Sequence, residues 1–429
     1  MNPPSIAANA GTSPWVCPFC ALLCDGFGVD VQVDALKPTG TDCPRARAGL
    51  AQFSSATRGA QPLLDGKPCE PEAAIAAAAR LLAASRQPLF GGLGTDVAGA
   101  RALYPLACLT GAITDPTGGA ALMQGVRAVQ DRGQFTTTFA EVRTRADVIV
   151  FLGGIPSDIA PLIGVRCGIG EAQVAARHVA VIGATAADSA ALAEWAGAGV
   201  TTDALPLEAD LFTTTALLAA QVAGRSGDAA PPSLRALARR LHAARYAVIV
   251  GAPSRLPAHG ALVIEAVNRI VGTLNATTRA AVLWVGSGAG AATVNQVFTW
   301  LSGLPLRSRR GPRGLEHEPL AFDTDRLLGQ DDVDAVLWVA SFDAHDAPPP
   351  SDLPMVVLGH PALAAACVGR VATTVFIPVS TPGIGSGGSL FRTDGDVLMP
   401  LVSVRTESLP SVAEVLVKIT RALPAGCAR

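Results

Sequence analysis

The sequence predicts an α/β protein built on doubly wound parallel sheets, and three observations predict it. Eight short apolar runs rich in Val and Ile recur along the chain, most of them closed by Gly. Ala-rich stretches long enough to form crossover helices lie between them. The chain has 429 residues, of which 49% are hydrophobic and 16% charged, which suits a large buried core and excludes a disordered or fibrous protein.

The runs, in order, are Pro88–Gly92, Asp147–Gly153, His178–Gly183, Tyr246–Gly251, Ala281–Gly286, Ala335–Ala340, Met355–Gly359 and Ala372–Pro378. Each is apolar on both faces, as a central parallel strand must be when helices cover both sides of its sheet. Pro71 to Ser85 opens with Pro, a good first helical residue, and reads as one crossover helix. The expected organisation is two Rossmann-like units behind a small N-terminal cysteine-cluster domain over 1–55. One α/β domain is discontinuous, over 56–122 and 300–429, and the second spans 123–299. Pro231-Pro232 is an expected linker after the polar stretch Gly224 to Ala230, and Pro348 to Pro350 a rigid loop after a strand.

Composition narrows the function. The formal net charge is −2, a poor balance for a chain held to nucleic acid by overall charge. Mean hydropathy is +0.37, yet the longest apolar candidate, Ala73 to Ala84, is too short for a membrane span and carries Arg80. Met1 to Trp15 lacks the basic start and apolar centre of a secretory signal, so a cytoplasmic address is expected, with no membrane partner.

Four of the nine cysteines crowd the first tenth of the chain: Cys17, Cys20, Cys24 and Cys43. The pattern is CxxCxxxC, then a fourth Cys after eighteen intervening residues. A tight loop of this kind wraps three corners of a tetrahedron, and the fourth thiolate returns from a hairpin. The site suits a [4Fe–4S] cluster or a structural zinc. The competing reading is a vestigial, empty site whose thiols simply pack.

Two Gly-rich strand ends, Gly91 to Gly94 and Gly286 to Gly290, offer backbone amides to a phosphate or else allow close strand–helix packing. Arg307, Arg309, Arg310 and Arg313 lie within seven residues of a Gly/Pro loop. Their planar guanidinium groups suit carboxylates or phosphates; the alternatives are a solvated loop or a subunit contact. The six histidines form no metal-binding pair, and no nucleophile elbow, Walker loop or kinase set is present, so no catalytic apparatus is visible.

At this level of detail the chain resembles a known family. The cysteine motif with Leu23-Cys24-Asp25 is similar to the N-terminal cluster domain of molybdopterin and tungstopterin oxidoreductases, and more specifically of the formylmethanofuran dehydrogenase B-subunit family. Asp147 to Pro156 resembles that family's pterin-facing strand and turn. Asn295 to Pro305 is similar to its NQVxTWxxGxP signature, Asp334 to Ser341 to the strand that follows, and Gly383 to Asp394 to a late Gly-rich segment. Active members place a Cys or selenocysteine on the metal in a stretch resembling DNTASVCHGP. Here the equivalent, Asp115 to Gly125, has no Cys; Met123 is only a weak soft ligand, and Cys108 lies upstream in an expected helix.

The resemblance therefore runs most closely to the B subunit of the bacterial formyltransferase/hydrolase complex, a non-redox relative. It implies a structural subunit without molybdopterin and without catalytic residues of its own. The complex would move a formyl group from formyl-tetrahydromethanopterin to a methanofuran-like carrier and release formate. It further implies an amidohydrolase-like hydrolase subunit, a formyltransferase subunit and a further small subunit as partners, and a glutamate-rich carrier that Arg307, Arg309, Arg310 and Arg313 would contact. The alternative it leaves is a catalytic Mo/W-pterin formylmethanofuran dehydrogenase subunit with a [4Fe–4S] cluster.

Overall fold

All eight apolar runs form strands in the computed structural model, which describes residues 15–197, 199–225, 230–286, 288 and 290–425. Their ends shift by up to two residues: the first becomes Pro88–Gly94, the fifth Arg279–Trp284, the last Thr374–Pro378. Most are buried along their whole length, which is why they carry no polar alternation. The expected crossover helix appears as Pro71–Ala84 with Pro in its first turn. The α/β class with parallel sheets holds.

The chain divides into two compact units, one of Met1–Gly119, Gly288–Arg392 and Leu398–Arg429, the other of Ala120–Ser287 with Thr393–Val397. The cysteine segment, expected to stand apart over 1–55, is grouped with the first unit.

The first unit holds a nine-stranded sheet. Its five central strands run parallel in the order Ile113–Pro116, Pro88–Gly94, Ala335–Ala340, Met355–Gly359, Thr374–Pro378. In chain order this is 2-1-3-4-5, so the winding reverses between Pro88–Gly94 and Ala335–Ala340. Antiparallel hairpins close both edges: Ser308–Gly311 with Gly314–His317 on one side, Leu63–Leu64 with Lys67–Pro68 on the other. The Trp338 ring packs against Gly91 and Gly92, where an added Cβ would stand 2.7 and 2.8 Å from it. Close packing therefore explains this Gly-rich strand end.

The second unit holds a five-stranded parallel sheet ordered Arg279–Trp284, Tyr246–Gly251, Val148–Leu152, Arg177–Ile182, Val200–Leu205. In chain order this is the dinucleotide-type 3-2-1-4-5. Helices Leu211–Val222, Pro232–Ala243 and Gly260–Leu274 bury Leu218, Leu237, Val263 and Val267 against Val150, Ile182 and Ile249. The linker expected at Pro231-Pro232 is corrected: Pro232 is the first residue of a helix inside this unit, its fixed φ and missing N–H being harmless there. Residues 226–229 of the preceding polar stretch lie outside the described residues.

Two of the parallel strands have no counterpart among the eight runs. Ile113–Pro116 and Val200–Leu205 carry Thr and Asp, and Ile113–Pro116 ends in Pro, so neither has the continuous apolar signal of a central strand.

Candidate functional site: the cysteine loop and the arginine hairpin

Cys17, Cys20, Cys24 and Cys43 are all buried. The loop closes on itself: the Cys17 N–H donates to the Cys24 carbonyl at 2.9 Å, and the Leu23 N–H to the Cys20 carbonyl at 3.2 Å, with Leu23 at φ 43°. Trp15 Nε1 donates to the Gly383 carbonyl at 2.8 Å, tying the loop to the late Gly-rich segment. Cys43 precedes helix Pro44–Ala51, and its carbonyl accepts the Arg47 N–H at 3.1 Å. That helix meets the loop at Gly49, where a Cβ would stand 2.2 Å from the Phe19 ring. Gly288 also lies close to the loop: a Cβ there would stand 3.2 Å from the Cys20 Cα.

Burial pushes the Cys17 thiol well above its ordinary pKa, and the Cys20, Cys24 and Cys43 sulfurs add to the rise. The four thiols thus share one neighbourhood. No three His, Cys, Asp or Glu side chains among the described residues are gathered to hold a metal ion. Zinc needs four ligands at about 2.0–2.3 Å from a single point. A [4Fe–4S] cluster needs four thiolates around a larger body. These four residues have the right chemistry for either group.

The four arginines fare differently from one another. Arg307 is buried, at φ 59°. Its Nε donates to Asp115 Oδ1 at 2.8 Å, its Nη1 to the Pro319 carbonyl at 2.6 Å, and its Nη2 to Asp323. Asp115, equally buried, also accepts the Thr324 N–H at 2.8 Å. Burial raises the Asp115 pKa, and Arg307 opposes that rise. Arg307 is thus an internal strut between the strand Ile113–Pro116 and the segment after the hairpin. Its expected role as a carrier contact is corrected, because every nitrogen of the guanidinium is occupied and the side chain is shielded from solvent.

Arg309 donates to Glu316 Oε2 at 2.7 Å and to Gln87 Oε1 at 2.5 Å, and lies 5.3 Å from the centre of the Phe322 ring. It pairs across the hairpin, whose register places Arg309 opposite Glu316. Arg310 and Arg313 are exposed near the hairpin turn, with no ion-pair partner among the described residues. Of the four, these two are available to an external anion. Sequence reasoning treats the four alike because it has no burial to separate them.

Two further places matter for cofactor binding. In Asp115 to Gly125 the acidic residue is committed to Arg307, and Met123 is buried within helix Gly119–Arg132. In the second unit, the winding reverses beside the turn Gly153-Gly154-Ile155, where a dinucleotide-type fold presents amides to a phosphate. Here the Gly153 and Gly154 N–H groups donate to the Ile182 carbonyl at 3.0 and 3.2 Å, and the Ile155 N–H donates to Asp188 Oδ1 at 3.0 Å. A buried carboxylate thus takes the amide that a phosphate would seek. No sequence signal points to Asp188 in this role; the Thr185-to-Asp188 capping spacing explains only its second one, at the start of helix Ala186–Trp195.

No family model matches the chain. It is 33% identical over 334 residues to the Fhc B subunit of the formyltransferase/hydrolase complex of Methylorubrum extorquens, covering 76% of this chain and 87% of the relative. It is 27% identical over 416 residues to the B subunit of tungsten-containing formylmethanofuran dehydrogenase 2 of Methanocaldococcus jannaschii, covering 89% and 91%. Among solved structures it is similar to a chain of the formyltransferase/hydrolase complex FhcABCD from Methylorubrum extorquens in complex with methylofuran. There the TM-score is 0.72 at 29% identity, over 84% of this chain and 98% of the other.

Proposed function

The chain belongs to the B-subunit family of the formyltransferase/hydrolase complex, and from that premise we propose that it is the non-redox, structural subunit of such a complex. The complex it serves moves a formyl group from formyl-tetrahydromethanopterin to a methanofuran-like carrier and releases formate in one-carbon metabolism. A hydrolase subunit resembling amidohydrolases, a formyltransferase subunit and a further small subunit are its partners, and the chemistry is theirs. Among the described residues no helix is long and apolar enough to cross a membrane.

One observation carries the reading against a tungsten or molybdenum dehydrogenase. Asp115 to Gly125 holds no thiol, and its first residue is locked into a buried ion pair with Arg307. A pterin-bound metal receives no thiolate from this stretch, and the thiolate is what tunes such a centre. The amides spent on Ile182 and Asp188 support the same conclusion for the second unit. The carrier contact narrows to Arg310 and Arg313, which are positioned to meet carboxylates of a glutamate-rich arm.

The test is metal analysis and activity of the purified complex. Expected are formate release from the formylated carrier, no reduction of a low-potential dye, and no molybdenum or tungsten above background. Stoichiometric molybdenum or tungsten would overturn the proposal in favour of the dehydrogenase.

A further inference from the structure

The second unit contains a cavity of about 900 Å³ that the scaffold role does not use. Small residues make one side of its wall. Ala216, Ala219, Ala220 and Ala223 fall on one face of helix Leu211–Val222 and its end, at i, i+3, i+4 and i+7. Across from them, Gly272 in helix Gly260–Leu274 adds nothing: a Cβ built there meets no atom within 4 Å. Helices in contact usually fill such a space with Leu or Ile, and here the alanine face and Gly272 leave it open.

The polar lining is the second observation. Asn268 borders the cavity, and neither its Nδ2 nor its Oδ1 has a hydrogen-bond partner, although both are shielded from solvent. Gln134 Nε2, also in the lining, is likewise unpaired. A buried amide left unpaired at both ends is destabilising, and native chains keep one where something else pairs it. As a lining residue with a free amide, Asn268 carries one donor and one acceptor side by side, the complement of another amide.

Charge gives the rest of the ligand. Arg132, Arg225 and Arg269 line the cavity against Asp131 and Glu265. Glu265 is already shared between Arg132 at 2.7 Å and Arg269 at 2.6 Å, and both arginines hold its carboxyl below the usual range. Arg225 has no ion-pair partner among the described residues and is exposed at the edge. The lining therefore favours an anion at the rim and an amide at the floor.

We propose that this cavity binds a small amide-bearing carboxylate, with Asn268 pairing the amide and Arg225 and Arg269 meeting the carboxylate. The site is separate from the stretch 115–125 and from the arginine hairpin, so it stands or falls independently of the scaffold reading.

The test uses the full chain and the dipeptide N-acetyl-Glu-Glu as probe, titrated by calorimetry, with inorganic phosphate as a competitor. Expected is saturable binding at one site, with Kd between about 10 μM and 1 mM. Asn268→Leu should weaken it by roughly tenfold or more while leaving Tm equal or higher, because the substitution removes an unpaired buried amide. Gly272→Leu should abolish binding by filling the cavity; the residue sits in a helix with open space around it, so folding is not at stake. The proposal is overturned by no saturable binding, by wild-type affinity in both variants, or by full displacement of the probe by phosphate, which would mark a plain anion site.

Discussion

Replacing Arg307 by Ala removes the strut that joins Asp115, Asp323 and the Pro319 carbonyl. The Asp115 side chain is 3% exposed, so water does not replace the guanidinium. Its carboxylate keeps one partner, the Thr324 N–H. Removing one member of a buried ion pair costs about 3–5 kcal/mol, most of it the penalty of stranding the other charge. With a denaturant slope of about 2–3 kcal/mol per molar urea, that moves the midpoint down by about 1–2.5 M. Urea unfolding followed by circular dichroism at pH 7 reads it.

The sign of the pH dependence follows from Asp115. Its folded pKa is already raised by burial, and loss of Arg307 raises it further. The folded state then binds a proton that the unfolded chain has released, so stability is retained at low pH and lost as pH rises through the folded value. The deficit of Arg307→Ala is therefore smaller at pH 5 than at pH 7. Adding Asp115→Asn, which removes the stranded charge, should recover part of it at pH 7. A loss below about 1 kcal/mol at pH 7, or no recovery in the double variant, would refute the strut. A raised KM for the carrier with unchanged stability would instead restore Arg307 to the binding surface.

Three other outcomes are expected. His360 is fully buried, and burial lowers its pKa to about 4, so it contributes stability above the unfolded value near 6.5 that is lost as pH falls from there towards 4. Tm should drop over that window by the equivalent of up to about 3 kcal/mol, and His360→Phe should flatten the drop; an equal slope in both would show that other groups cause it. Gly49→Ala drives a methyl into the Phe19 ring beneath the cysteine loop and should cost about 1–3 kcal/mol, read as a shift in urea midpoint. Arg310→Ala with Arg313→Ala should leave Tm within about 1 °C, since neither side chain has an ion-pair partner among the described residues, while reducing retention of the carrier by the assembled complex. Equal retention would remove the hairpin from the carrier path.

Local sequence carries the class of the fold and most of its central strands. A strand covered on both faces must be apolar along its length, and that demand is written residue by residue, as in Ala335–Ala340 and Met355–Gly359, whose ends coincide with the apolar runs. The missing thiol in Asp115 to Gly125 is legible for the same reason: a ligand's identity is a property of one position. What each polar residue faces emerges only in the folded chain. Four arginines look equivalent until burial makes one a strut, hairpin pairing engages a second, and exposure leaves two available. Ile113–Pro116 reads as polar because its Asp and Thr find partners 192 and 194 residues away, in Arg307 and Ser308. The cavity beside Asn268 lies between segments distant in sequence, with the alanine face of helix Leu211–Val222 on one side and Gly272 and Asn268 of helix Gly260–Leu274 also in its lining. Burial, charge pairing and empty space are relations between distant segments, and the local pattern of a chain does not encode them.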